Sequence, residues 1–405
     1  MKNESRKVPD PDLDNVIPLL INGWRKLHKL AGPADKLQTR EFRSVVENVL
    51  KLQHGLEKTQ ELVGQDYFES NDFLGAYLLY QWVIRYQEGL TLINELPHPP
   101  RRVLDLCSGP GAYSFAALRH GAREVIALDR SQKALDMAAT VCGRYGFPLT
   151  IRKHPVLKYP LPVEGKFDLI IVGHCLTELF PENKSEWPKH QRDWISQLFK
   201  LLTPEGQILF IESSQSTVNR RMLMLREQLV KEGIAVQAPC VWQGECVALQ
   251  SNSPCYAQRE MKKPYLIKEI QRATQINLSS LKMSYLLIRA PGSAWSTLPS
   301  QPLYRVISPP IDTQTGPRYF LCGTDGKKNL GSHLKELPAE ARPFEFLKRG
   351  ELISISGALE RQQHFDIIIG TRIKVEAAVG KPLPKACLKN DSALDTESFC
   401  PQSSF

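Results

Sequence analysis

The stretch that most limits what this chain can fold into runs from Arg102 to Leu118, Arg-Val-Leu-Asp-Leu-Cys-Ser-Gly-Pro-Gly-Ala-Tyr-Ser-Phe-Ala-Ala-Leu. Val103 to Leu106 is a short apolar run that reads as a buried strand. The run breaks at Ser108-Gly109-Pro110-Gly111 and resumes as helix-compatible sequence from Ala112. Strand, glycine turn and helix start together make a cradle for a nucleotide-like ligand. Gly109 and Gly111 let backbone approach closely, and the helix start offers N–H groups without intrahelical partners. Further on, Glu124-Val-Ile-Ala-Leu-Asp129 is a second apolar run, ending in a carboxylate where ribose hydroxyls would sit. Asp105 lies inside the first strand, and Phe167 to Gly173 reads as a third. The plain alternative is a βαβ unit that holds no ligand.

The spacing Gly-x-Gly, rather than Gly-x-Gly-x-x-Gly, resembles S-adenosylmethionine (SAM) methyltransferases more than nicotinamide dehydrogenases. Asp105, Ser108, Gly109, Gly111 and Asp129 are then the expected cofactor-binding residues. Position 107, usually glycine in such sites, is Cys. After the short strand near Arg152, where an acid is usual, stands Lys153-His154-Pro155.

At 405 residues the chain has room for two or three domains, and its 42% hydrophobic and 23% charged content is that of a globular protein. The formal charge of +9 favours an acidic partner, most simply nucleic acid. No apolar run reaches transmembrane length, so no membrane partner is expected. The N-terminus lacks a signal-peptide core, and Glu4, Asp10, Asp12 and Asp14 argue against a transit peptide. A cytoplasmic, reducing location is expected, in which the nine cysteines are not a disulfide framework.

Residues 1–97 read as a helical region. Val16, Leu19, Leu20, Trp24 and Leu27 make one apolar face, Phe42 to Leu52 a second, and Ser70-Asn-Asp caps a third helix. The aromatic stripe Tyr77, Tyr80, Trp82 and Tyr86 reads as packing rather than base contact. Leu96-Pro-His-Pro-Pro100 is a break. From 101 to 290 strands alternate with helices, which predicts an α/β parallel sheet, with a cysteine-rich insertion at 238–260. Residues 303–376 read as a small β domain, an OB-like barrel being one arrangement that fits. The tail 381–405 reads as disordered.

His174, Cys175 and Glu178 follow the third strand, where a methyl acceptor would face, and are the catalytic candidates. The Asp/Asn-Pro-Pro-aromatic motif of amino-group methylation is missing, and Cys175 lacks the preceding proline of ring-carbon methylation. A polar rim without chemistry is the bland reading. Cys240, Cys246 and Cys255 sit in a turn-rich segment, and Cys322 follows at a later strand end. Soft thiolates gathered in a reducing compartment suggest an iron–sulfur cluster or zinc. Absence of Cys-x2-Cys pairs favours the cluster over zinc, and unligated thiols packed as small hydrophobes are the alternative.

Taken in order, these pieces resemble the methyltransferase-like assembly factors of the mitochondrial small ribosomal subunit and their bacterial relatives. The likeness rests on Val103 to Gly111, Leu176-Thr-Glu-Leu179, Leu201 to Glu212 with Arg220 and Arg226, Ala238-Pro-Cys240, Cys246, Cys255, Met283 to Ile288, Arg305 to Pro310 and Leu321-Cys322. It implies a class I SAM-methyltransferase-like Rossmann sheet, a [4Fe-4S] site on Cys240, Cys246, Cys255 and Cys322, and engagement of small-subunit rRNA. Around the cysteines the likeness departs: Cys240-Val-Trp-Gln, Cys246-Val and Cys255-Tyr-Ala replace the usual neighbours.

Two functions are expected to compete: a ribosome-associated binding and assembly factor, with Arg259, Lys262, Lys263, Lys268 and Arg272 either on phosphates or forming an ordinary solvated helix face, or an active SAM-dependent rRNA methyltransferase. A weaker third makes the cysteines a redox or iron sensor. A radical-SAM enzyme is disfavoured, because Cys-x3-Cys-x2-Cys is absent.

Overall fold

The computed structural model describes residues 12–242, 244–293, 302–323 and 326–381. The tail beyond Lys381, with Cys387 and Cys400, lies outside them, as does most of the linker from Pro291 to Pro302.

Helices α1 (Leu13–His28) and α2 (Thr39–Gln53) bury the apolar faces that their spacing predicts, among them Val16, Leu20 and Trp24 against Val45 and Val49. Arg25 and Glu41 lock the pair through two buried hydrogen bonds of 2.8 and 2.7 Å. Ser70 caps α3 (Asn71–Ala76) by accepting from the Phe73 amide. The chain then widens through one π-turn, Tyr77–Gln81, into α4 (Trp82–Asn94). Tyr80, Trp82 and Tyr86 are buried, and Trp82 and Tyr86 pack on Phe115. Trp82 Nε1 donates to the Pro110 carbonyl at 2.9 Å, so the aromatic stripe braces the glycine turn from behind.

The first sheet holds β1 (Arg102–Leu106), β2 (Glu124–Asp129), β3 (Leu149–Lys153), β4 (Phe167–Gly173), β5 (Leu202–Ser213), β6 (Val236–Ala238), β7 (Ala257–Arg259) and β8 (Leu281–Arg289). Its order is β3-β2-β1-β4-β5-β8-β6, with β7 on β8. β1 to β5 run parallel, and β8 is antiparallel to β5 and β6. Helices α5 (Ala112–Arg119) and α6 (Gln132–Gly143) pack with α4 on one face. There they meet Val103, Val125, Leu169 and Leu209. Further along come α7 (Leu176–Leu179), α8 (Trp187–Phe199) and α9 (Ser216–Lys231), which meet Leu104, Ile126, Ile170 and Ile208 on the other face. Alternate residues of each strand thus feed opposite cores. This is the α/β, class I methyltransferase-like sheet, and its order reverses between β1 and β4, where such sheets bind ligands.

Short α10 (Val247–Gln250) and α11 (Tyr265–Thr274) flank β7. The second sheet contains β9 (Leu303–Val306), β10 (Ile311–Thr313), β11 (Gly316–Gly323), β12 (Gly326–Ser332), β13 (Leu352–Ser356), β14 (Leu359–Arg361), β15 (His364–Ile367) and β16 (Arg372–Ala377). Its described strands form an open path, β14-β15-β12-β11-β9-β13-β16, with β10 on β11. A core of its own includes Tyr304, Val306, Tyr319, Leu321, Phe344 and Phe365. Val241, from the cysteine segment, is buried among Leu303, Leu352 and Ala377 and joins the two sheets.

In the basic run after the cysteine segment, Arg259 is not on the surface. Arg259 is buried and bound to Glu95 by hydrogen bonds of 2.6 and 3.0 Å, so it is not available to phosphate. Lys262 pairs with Asp12 and Asp14, and Arg272 with Glu269. Burying a guanidinium demands a counter-charge, and Glu95 supplies it from the end of the helical region.

Candidate functional site

A cavity of about 200 Å³ opens at the carboxyl ends of β1, β2 and β4. Gly109 and Asp129 line it, as do His174, Cys175 and Glu178. Asp129 is buried; its Oδ2 accepts from the Gly109 amide and its Oδ1 from Ser131, both at 2.8 Å. Burial raises its pKa while these backbone bonds oppose the rise. One carboxylate therefore fixes the glycine turn to the end of β2. Asp105, Ser108 and Gly111 lie behind the wall. Asp105 is fully buried and accepts from the Ser114 hydroxyl at 2.6 Å, tying β1 to α5. Burial lifts that carboxyl to about 7. Gly111 has φ +75°, and a Cβ there would lie 2.6 Å from the Ala138 Cβ, so only glycine fits. Cys107 takes φ +55°, which explains why glycine is usual at this position. Its thiol lines the cavity and hydrogen-bonds Cys175.

Beneath the cavity lies a polar network that the sequence did not announce. Glu88 on α4 accepts from Arg85 at 3.0 Å and from the Tyr113 hydroxyl at 3.0 Å, and meets His174 Nε2 at 3.0 Å. Burial pushes the Glu88 carboxyl up, but Arg85, His174 and Tyr113 together bring it down to about 2. Burial and Arg85 hold His174 below its ordinary value, against the pull of Glu88. A ring with Nε2–H on Glu88 leaves Nδ1 as the proton acceptor. Arg85 and Glu88, three apart among buried apolar residues of α4, were the available signal for this network.

Residues 64–69 form a strap over the mouth. Arg130 donates to the carbonyls of Gly64 and Gln65 and pairs with Asp66 at 2.7 Å. From the other side Glu178 accepts from the Gly64 amide and the Tyr67 hydroxyl, each at 3.4 Å. Phe68 lies on Gly109, within 3.1 Å of where a Cβ would stand. Burial raises the Glu178 carboxyl to about 7, against the Gly64 amide and Arg130.

Cys240, Cys246, Cys255 and Cys322 all line a second, apolar cavity of about 50 Å³. Helix α9 pins the three segment cysteines one by one. Arg226, fully buried, hydrogen-bonds Cys240 and donates to the Gly244 and Trp242 carbonyls. Glu227 accepts from the Cys246 amide at 2.9 Å. Asn219 bridges the Cys255 backbone through its carbonyl (2.7 Å) and amide (3.2 Å). Cys322 comes from β11, paired with Arg305 of β9, whose Nε donates to the Pro239 carbonyl at 3.0 Å. Burial and the neighbouring thiols raise Cys322 to about 12 and Cys255 higher. Among the described residues no three Cys, His, Asp or Glu side chains stand in a group that would hold a metal ion. In number and softness the donor set fits a thiolate-bound metal.

A family model described as mitochondrial small ribosomal subunit Rsm22 matches residues 86–332. The chain belongs to the Rsm22 family. The match takes in the first sheet, the cysteine segment and the second sheet as far as β12. The ribosomal protein L11 methyltransferase of Symbiobacterium thermophilum is 32% identical to this Rsm22-family chain over 93 residues, 22% of this chain and 30% of that protein. The histone-arginine methyltransferase CARMER of Drosophila ananassae is 27% identical over 175 residues, 41% and 32% of the two. The chain thus spans about a third of the length of the curated relatives it matches. Among solved structures, the ribosomal protein L11 methylase of Lactobacillus delbrueckii subsp. bulgaricus aligns at TM-score 0.30 and 19% identity, covering 51% of this chain and 77% of that one. An O-methyltransferase family protein of Burkholderia thailandensis aligns at 0.36 and 14%, covering 64% and 75%. At such scores these structures add nothing to the strand order already described. No helix among the described residues is long and apolar enough to cross a membrane. The family description is mitochondrial, so it lends the expected cytoplasmic location no support.

Proposed function

We propose that this Rsm22-family chain is a small-ribosomal-subunit-associated, rRNA-binding assembly or translation factor, built on a SAM-binding methyltransferase scaffold. The observation that carries the reading is Asp129: a buried carboxylate at the end of β2, bonded to the Gly109 turn at the mouth of a cleft. Asp129 would take the ribose hydroxyls and the Gly109 turn the carboxylate end of SAM. SAM, when bound, supplies an electrophilic methyl group. The chain's own contribution is a strap that excludes water and a network that fixes His174. Cys240, Cys246, Cys255 and Cys322 would hold a metal centre, a [4Fe-4S] cluster in preference to zinc, because paired Cys-x2-Cys ligands are absent. Four thiols around one apolar cavity at the joint of two sheets support that assignment. Its place is a reducing compartment, the cytoplasm in a bacterium.

The second reading, an active rRNA methyltransferase, is favoured by one observation: His174, Cys175 and Glu178 share the cleft. His174 would accept a proton at Nδ1, and Glu178 would orient the acceptor. Co-sedimentation with small-subunit particles separates the first reading from no function on the ribosome: binding at low salt that is lost at high salt supports it, and no binding at low salt refutes it. Comparing rRNA modification maps with and without the gene separates the two. A missing methyl group establishes the enzyme, and an unchanged map leaves the binding factor.

A further inference from the structure

Three arginines converge on the four cysteines. Arg226 of α9 is fully buried, lines the cysteine cavity and hydrogen-bonds Cys240, and its Nε has no hydrogen-bond partner. Arg305 of β9 stands directly across from Cys322 of β11, so the two side chains share one face of the sheet. It donates from Nε to the Pro239 carbonyl at 3.0 Å, next to Cys240, and from Nη1 to the Gly350 carbonyl at 2.7 Å. Arg349 lies 4.1 Å over the ring of Tyr256, the residue after Cys255, and its Nε and Nη1 are buried without partners. Other charges here are already answered: Arg259 by Glu95, Lys348 by Glu260. Glu351 accepts from the Lys348 amide at 2.9 Å, and Lys327, on the other flank of Cys322, holds its ammonium over the Phe320 ring. Of the three arginines only Arg226 has an ion-pair partner among the described residues, Glu227 at 3.1 Å. Guanidiniums in excess at a packed joint call for negative charge in return, and neutral thiols do not supply it.

We infer that Arg226, Arg305 and Arg349 are the counter-charge of the metal–thiolate centre, holding its negative charge in the interior and setting how readily it takes up an electron. Four thiolates about a [4Fe-4S] core or a zinc ion leave two negative charges. Three guanidiniums less the Glu227 carboxylate leave two positive ones to meet them. A charge acts across several ångströms of low-dielectric interior without touching its partner, so Arg349 works from its place on Tyr256. Net charge and hydrogen bonds at the sulfurs tune such a centre. This inference rests on the metal-centre reading and adds which residues retain the metal.

The test uses the full chain purified without oxygen and two variants at the partly exposed arginine, Arg349→Gln and Arg349→Lys, the second of which keeps the charge. The rate at which a chelator strips the metal is measured for each, and for iron the midpoint potential as well. Arg349→Gln should release its metal about tenfold faster than the wild type, and its midpoint potential should fall, because a lost cation disfavours the added electron. Arg349→Lys should stay close to the wild type in both. If Arg349→Gln keeps its metal as long as the wild type and at the same potential, the counter-charge role is overturned and the metal-centre reading stands. Arg349→Lys failing as badly as Arg349→Gln would put the effect on ring stacking instead of charge, and would overturn it too. Thermal unfolding and S-adenosylhomocysteine (SAH) binding report the fold: both should be unchanged in the variants, and their loss along with the metal would mark a merely structural residue and overturn the role. Should the wild type carry zinc, the release rates alone decide in the same way. A wild type that carries no metal removes the parent reading as well.

Discussion

Glu88 Oε2 and His174 Nε2 lie 3.0 Å apart although 86 residues separate them in the chain. The contact ties the N-terminal helices to the floor of the cleft. Replacing Glu88 by Gln leaves Arg85 largely buried without its counter-charge, which typically costs about 3–5 kcal/mol. Denaturant unfolding of Glu88→Gln should show that loss, and an unchanged midpoint would mean that the network is not structural.

Stability should fall at both ends of the pH scale, for opposite reasons. The Glu88 carboxyl is lowered from 4.5 to about 2, so its contribution is complete above 4.5 and lost as the pH falls through about 2. Burial raises Glu212 from 4.5 to about 7, so its contribution is complete below 4.5 and lost as the pH rises through about 7. Glu212→Gln keeps the acceptor for the Leu176 amide and removes the titration. At pH ~8 it should therefore exceed the wild type by roughly 3 kcal/mol, with no difference near pH ~4. Parallel unfolding curves at the two values decide.

What the sequence revealed was local. Val103 to Gly111, the acid at Asp129 and the cap at Ser70 are readable because a strand, a turn and a helix start each leave a signature within a few residues. Arg130 and Tyr67 left none, and Glu88 only its spacing from Arg85, since their other partners lie in distant segments and a charged residue does not reveal what it will face. Arg259 misleads for the same reason: within Gln258-Arg259-Glu260 it looks solvated, and only the fold brings Glu95 to it. The cysteines fall between. Their ligand-like character is visible in the chain, but the way Asn219, Arg226 and Glu227 of α9 hold them is not.

The cysteine centre makes its own prediction. Protein purified without oxygen should carry iron and sulfide with visible charge-transfer absorption, and Cys322→Ser should lose both. Amide exchange should then rise in β9 and β13, because a ligand from the second sheet no longer holds the joint. Zinc in place of iron would change the assignment of the metal. No metal in the wild type would end it.

The most direct test of the account is calorimetric titration of the full chain with SAH, beside Asp129→Ala. The wild type should bind one-to-one, and the variant should lose at least tenfold, because it forfeits a charge-assisted contact to the ribose. A wild type that takes up no SAH, or a variant that binds it equally well, would contradict it.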